Sequence, residues 1–155
     1  MKYFTRELHE LSQPKRGLTE DEEEASWPRI KALWDSAQAE YRRVFASVVP
    51  SLPAGARTFF ENVHMHDARI LSVNHGPDNT VAMVFDTKGS FLPGKRFFVT
   101  FHGVKTTEGL TALEGEWWVY QEVHPSNLGA FDLQVLCART EFRVVADDVS
   151  CGTVE

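Results

Sequence analysis

The sequence predicts an α+β domain whose N-terminal helices pack on one face of a mostly antiparallel sheet of about six strands. Apolar residues recur every three to four positions through much of the first 63 residues, and from residue 64 the period changes to two. Six extended segments then follow one another at the spacing of hairpins. The length of 155 residues fits one domain over 1–155, mainly helical over 1–63 and mainly antiparallel sheet over 64–150.

The first helix is expected to be short and to begin after Thr5, whose hydroxyl can cap it. Leu8 and Leu11 lie three residues apart and share one face of this helix. Pro14 and Gly17 follow and favour its end. The sequence therefore predicts a small helix with one apolar face near the N-terminus.

A second, longer helix is predicted to reach about residue 48. Thr19 and Glu22 have the spacing of a capping box. Pro28 either kinks a helix that runs from residue 20 or lies in the first turn of a helix capped by Ser26. One apolar stripe follows the helix: Trp27, Ile30, Trp34, Ala37, Tyr41, Val44 and Val48. We expect this stripe to pack on the sheet, and a dimer seam is the alternative.

A third helix is expected at about 54–62, after the breaks at Pro50 and Pro53. The period of two residues begins behind it. Strands are predicted at 68–74, 80–86, 96–104, 116–124, 131–137 and 142–146. The last two are joined by only three residues, 138–140, and this short link predicts a hairpin.

The charge is unevenly distributed along the chain. Residues 1–60 contain nine acidic and nine basic side chains, whereas residues 61–155 contain thirteen acidic and seven basic ones. An acidic sheet half argues against nucleic acid or an anionic membrane as a partner, and it suits a basic protein or a cationic ligand. The chain has no signal-peptide pattern and no run long enough to span a membrane, so a cytoplasmic location is expected.

The segment His64-Met65-His66-Asp67 is the first candidate site. Imidazoles two residues apart in an extended chain point to the same side, so His64, His66 and Asp67 could hold zinc or another divalent metal. His102 and His124 are further candidate ligands, but if their strands are adjacent and antiparallel they lie at opposite edges of the sheet. A metal-dependent enzyme would follow from such a site. No third histidine or acid follows at a recognisable ligand spacing, so we favour a structural interpretation without a cofactor. In that interpretation His66 and Asp67 shape the corner between the helices and the sheet.

The second candidate site is a sheet face that carries aromatic and acidic side chains. Trp117 and Trp118 place one indole on each side of their strand, and the sequence leaves open which of them is buried. An exposed indole beside Tyr120 and acids would suit a protein partner or a cationic ligand. The predicted binding residues are Trp118, Tyr120, Glu122, His102 and His124. No catalytic residue is predicted, because the sequence contains no complete catalytic motif.

Three short motifs give the chain a family resemblance. They are the opening Met1-Lys-Tyr-Phe-Thr-Arg-Glu-Leu, the corner His66-Asp67-Ala68-Arg69-Ile70, and the pattern Trp118-x-Tyr120-x-Glu122. Together they resemble a bacterial domain family of unknown function. The resemblance implies a bacterial cytosolic protein of the same α+β build and brings no established activity. The corner followed by a β-meander is also similar to small immunity-type proteins found beside bacterial toxins.

From these observations we expect a non-enzymatic binding module, immunity-like, that holds a protein partner on its acidic sheet face. The alternative from another class is the divalent-metal-dependent enzyme centred on His64, His66 and Asp67. A homodimer joined along the helix stripe or a sheet edge is a third possibility.

Overall fold

The structure is a computed structural model, and it describes residues 1–14, 17 and 19–154. The described part of the first 62 residues contains three α-helices, as predicted: α1 spans Arg6–Leu11, α2 spans Glu20–Val48 and α3 spans Ala54–Asn62. A single 3₁₀ turn, Val49–Ser51, links α2 to the segment before α3.

Side-chain caps fix where the first two helices begin. The Thr5 hydroxyl accepts a hydrogen bond from the Leu8 amide at 3.3 Å. Thr19 and Glu22 form the predicted capping box, in which each side chain accepts a hydrogen bond from the backbone amide of the other residue. Helix α2 runs unbroken through Pro28, so the chain adopts the longer of the two predicted helices.

The remainder of the described chain forms one antiparallel sheet of eight strands. Their bounds are β1 Ala68–Gly76, β2 Thr80–Asp86, β3 Arg96–His102, β4 Thr106–Glu108, β5 Trp117–His124, β6 Phe131–Cys137, β7 Glu141–Ala146 and β8 Asp148–Val154. The spatial order is β4-β7-β6-β5-β1-β2-β3-β8. The α+β class and the antiparallel pairing are confirmed, but the prediction of about six strands is wrong.

The two unpredicted strands depend on pairing with distant strands rather than on a local pattern. Strand β4 has only three residues and forms by pairing with β7. Strand β8 contains Gly152, which is unfavourable in a strand by propensity. A Cβ atom at this position would lie 3.0 Å from the Phe98 ring, so the glycine allows β8 to pass close to β3.

Strands β3 and β4 follow each other directly, as do β7 and β8, and the two pairs form one bent ribbon. At the bend the Lys105 amide donates to the Val145 carbonyl at 2.8 Å. The Asp147 amide donates to the His102 carbonyl at 3.0 Å. The strands at the two ends of the sheet are therefore continuous with its interior strands, and the sheet curls around its own core.

On the opposite side of the curled sheet, β1 and β5 pair over a short stretch, which we call the narrow point. Only two residue pairs join these strands, Ala68 with Trp118 and Arg69 with Trp117. Each strand has a β-bulge just beyond this pairing, near Leu71 in β1 and near Val119 in β5. Because bulges bend a strand, β1 and β5 diverge on both sides of the narrow point.

The helices contact both faces of the sheet, which corrects the expectation that they cover one. On the inner face, Phe60 of α3 contacts Phe131 of β6 edge-to-face at 5.2 Å. On the outer face, Trp34 of α2 contacts Tyr120 of β5 at 5.0 Å. Helix α2 lies along the open edge of β5, where the Tyr41 hydroxyl accepts a hydrogen bond from the Val123 amide at 2.8 Å. A helix in this position reaches both faces.

Candidate functional site

The His64–Asp67 segment forms the corner between α3 and β1. Met65 is buried in the core, His64 is exposed, and the Asp67 backbone takes a φ of 64°. The Asp67 amide donates to the Trp118 carbonyl at 2.9 Å, and His66 Nδ1 lies 3.0 Å from the Asp67 carboxylate. Aspartate tolerates the left-handed region better than most residues, so this residue suits a sharp turn.

The candidate metal ligands do not converge on one point. Among the residues that the structure describes, no three His, Cys, Asp or Glu side chains are close enough together to hold a metal ion. His102 lies on β3 and shares a hydrogen bond with Ser150. His124 lies on β5 and pairs with Glu122. The described part of the chain thus brings only His66 and Asp67 into contact from the predicted ligand set.

A cavity of about 230 Å³ lies beside this corner, where β5 diverges from β1. It is bounded by the end of α3, the corner segment and the first half of β5. Its lining residues are Phe4, Phe60, Val63, His64, Met65, His66, Trp118, Val119, Tyr120 and Gln121. The lining is mainly aromatic and aliphatic, with two imidazoles, one phenol and one amide. Such a mixture is typical of small-molecule sites, in which few polar groups fix the orientation of the ligand.

Two buried polar atoms of the cavity-lining residues lack a protein partner. Trp118 Nε1 is a hydrogen-bond donor and Gln121 Oε1 is an acceptor, and neither bonds to any part of the chain that the structure describes. Most buried polar side-chain atoms in proteins are paired, because an unpaired one costs roughly 1–3 kcal/mol. A donor and an acceptor left free on two residues of the same cavity therefore indicate a place for a polar ligand.

The structure resolves which of the paired tryptophans is buried. Trp118 is 1% exposed and contacts Phe85 and Phe142 edge-to-face, whereas Trp117 is 40% exposed. The bulge at Val119 interrupts the alternation of β5, so Trp118 faces the core while Tyr120 faces outward. Trp118, one of the predicted binding residues, is thus the buried member of the pair, and Trp117 is the exposed one.

The outward face of β5 is covered by the N-terminal segment of the same chain. Glu122 is fully buried, and its carboxylate accepts hydrogen bonds from the amides of Lys2, Tyr3 and Phe4 at 2.8, 2.7 and 2.7 Å. His124 contributes a fourth hydrogen bond to the carboxylate, at 2.9 Å. Glu122 and His124, predicted to bind a partner, are thus engaged within the protein.

The electrostatics of this face follow from these contacts. Burial acts to raise the pKa of Glu122, but the hydrogen bonds from His124 and the three amides outweigh it, so the pKa lies below its usual value. Burial, together with the nearby Asp67 carboxylate, raises the pKa of Tyr120. The Tyr120 phenol therefore remains a neutral hydrogen-bond donor at physiological pH.

Sequence reasoning identified the corner segment of the cavity and missed Gln121. Its side chain belongs to the same alternating face as Val123, which is fully buried. The sequence does carry a signal for Gln121, which is an amide on an otherwise apolar face of the strand. A buried amide requires hydrogen-bond partners. Phe4 was also missed, since its contact with Tyr120 joins residues that are distant in sequence.

No helix within the described ranges is long and apolar enough to cross a membrane. Comparison with known proteins finds no matching curated protein and no matching solved structure. It does find a family described as a protein of unknown function (DUF4085), which matches residues 11–146. That range contains the His66–Ile70 corner and the Trp118–Glu122 pattern, and the resemblance to a family of unknown function is confirmed. The chain therefore belongs to the DUF4085 family.

Proposed function

We propose that this protein is a non-catalytic binding module whose cavity at the helix-to-sheet corner holds a small, neutral, planar molecule. The observation that carries the proposal is the pair of unpartnered atoms on its lining residues, Trp118 Nε1 and Gln121 Oε1. A ligand that offers both a carbonyl acceptor and an N–H donor would pair both atoms. Aromatic amides and nucleobases have this combination.

The size and the lining of the cavity support the same ligand class. Its volume of about 230 Å³ lies below the roughly 300–1,000 Å³ of drug-sized sites, so a single ring with a polar substituent fits better than a larger molecule. The rings of Phe4, Phe60 and Tyr120 offer apolar surfaces for a planar ligand. Among the residues that the structure describes, no Lys, Arg, Asp or Glu lines the cavity, which favours a neutral molecule over an ion.

NMR titration of the full chain with benzamide, nicotinamide and uracil tests the proposal. The indole N–H resonance of Trp118, assigned by its loss in Trp118→Phe, reports directly on the unpartnered donor. We expect at least one of the three molecules to shift this resonance at millimolar concentration. Toluene is the matched probe, because it has a similar ring without any hydrogen-bonding group.

Two variants separate hydrogen bonding from simple occupation of an apolar space. Trp118→Phe removes the donor, and Gln121→Met removes the acceptor at similar side-chain length. Each is expected to weaken binding of the polar probe about fivefold, equivalent to one neutral hydrogen bond of about 1 kcal/mol, and to leave toluene binding unchanged. The proposal fails if none of the three polar molecules shifts the Trp118 resonance. It also fails if both variants bind the polar probe as tightly as the wild type.

A further inference from the structure

Strand β1 has one edge that is mostly without a neighbouring strand. On one side it pairs with β2 from Arg69 to Gly76. On the other side its pairing with β5 ends at Ile70, whose amide donates to the Glu116 carbonyl at 2.8 Å and whose carbonyl accepts from Gly115. Among the described residues, none forms a backbone hydrogen bond with residues 72–76 on this side.

Strand β5 diverges from β1 on both sides of the narrow point, and a different element of the chain lies beside the gap on each side. Beyond it in the direction of His124, helix α2 closes the gap, because the Tyr41 hydroxyl accepts a hydrogen bond from the Val123 amide. In the direction of Gly76, the loop at 110–114 lies beside β1 but forms no ladder with it in the described structure. Unpaired strand edges bind other strands readily, and folded proteins usually cover or shorten them.

A cavity of about 410 Å³ adjoins this open edge. Its lining residues are Val73, His75, Leu110, Thr111, Ala112, Leu113 and Glu114. In the described part of the chain, this lining contains one carboxylate and one imidazole, and no lysine or arginine. A side chain from a strand added to β1 would find an apolar space here, with the Glu114 carboxylate at its border.

We propose that the free edge of β1, residues 72–76, binds an extended basic peptide segment of a partner protein as an additional strand. The edge offers about five residues of backbone, roughly 16 Å at 3.3 Å per residue, for main-chain hydrogen bonds. The adjoining cavity accepts one apolar side chain of the peptide. Glu114 selects a neighbouring lysine or arginine.

Charge favours a basic partner over a second copy of this chain. Residues 61–155 carry thirteen acidic and seven basic side chains, so two copies joined edge to edge would bring two acidic sheet halves together. A basic segment instead reduces the local negative charge when it binds.

Amide hydrogen exchange, measured by NMR on the full chain, tests the inference. The probe is the hexapeptide KVKVTV with both termini blocked. The acidic comparison peptide, EVEVTV, has the same alternation of polar and apolar residues. At a peptide concentration of about ten times Kd, exchange of the edge amides within residues 72–76 should slow roughly tenfold. The acidic peptide should give markedly less protection at the same concentration.

Reversing the charge of one exposed glutamate tests the inference, and reversing the charge of a second exposed glutamate is the matched control. Glu114→Lys should weaken binding of KVKVTV about fivefold, and Glu61→Lys on α3 should leave it unchanged. The inference is overturned if millimolar KVKVTV leaves exchange at residues 72–76 unaltered, or if the two peptides protect these amides equally. Protection that grows with protein concentration in the absence of peptide would also overturn it, since a second copy would then occupy the edge.

Discussion

Replacing Glu122 with glutamine is expected to destabilise the protein by about 3–5 kcal/mol. In the wild type one carboxylate oxygen accepts the amides of Tyr3 and Phe4, and the other accepts the Lys2 amide and the His124 imidazole. Glutamine keeps one acceptor oxygen but places an NH₂ group opposite the Lys2 amide. One buried amide then loses its acceptor, at about 1–3 kcal/mol, and the other two bonds lose their charge-assisted component, about 1 kcal/mol each.

The same change should alter how stability depends on pH. Because the pKa of Glu122 is lowered in the folded protein, the ionised carboxylate contributes stability above the pKa of the unfolded chain. That contribution is lost as the pH falls through the lower, folded-state pKa. The difference in the free energy of unfolding between wild type and Glu122→Gln is therefore greatest at neutral pH and narrows in acid.

Urea denaturation at several pH values measures both effects, and amide exchange at Lys2–Phe4 shows whether the N-terminal segment detaches. Glu114→Gln is the matched control, because Glu114 is exposed and its neutralisation should change stability by no more than about 0.5 kcal/mol. A loss below 1 kcal/mol in Glu122→Gln at neutral pH would refute the argument that these hydrogen bonds hold the segment in place.

Three further outcomes follow from the structure. Tyr41→Phe removes the acceptor of the Val123 amide and should lower the free energy of unfolding in urea by about 1–2 kcal/mol. Burial raises the pKa of the Cys137 thiol to about 12, so a disulfide reagent should modify Cys137 only as fast as the protein opens. Rapid modification of Cys137 in native Cys151→Ser, which lacks the half-buried second thiol, would contradict its burial. Elemental analysis of protein purified without a polyhistidine tag should find well below one zinc per chain, because the described residues contain no three-ligand cluster. Stoichiometric zinc that disappears in His64→Ala and His66→Ala would restore the metal hypothesis.

Features set by neighbouring residues in sequence could be predicted. The Thr5 and Thr19 caps, the three helices and the bounds of β2 and β6 all follow from local spacing. The predicted apolar stripe of α2 is buried or half-buried from Ile30 to Val48. Trp27 belongs to the same pattern but is 52% exposed. A periodic pattern gives the direction in which a side chain points, and it does not say whether another element lies there.

Features that depend on pairing between distant strands could not be predicted. Strand β8 is defined by its register with β3, in which Arg96 faces Val154 and His102 faces Asp148. The bulge at Val119 reverses the alternation of β5, so a strict period of two places Trp118 and Tyr120 on the same face. A strict period of two also assigns Trp118 and Gln121 to opposite faces and so conceals their shared cavity.

The hydrogen bonds between Glu122 and the N-terminal segment constrain the order in which the chain folds. Residues 2–4 lie 118–120 positions from Glu122 in sequence, among the longest separations of any bonded pair in the fold. Closing so long a loop is entropically costly before β5 and its neighbours exist. Residues 2–4 therefore dock late, and their attachment reports completion of the sheet rather than its initiation.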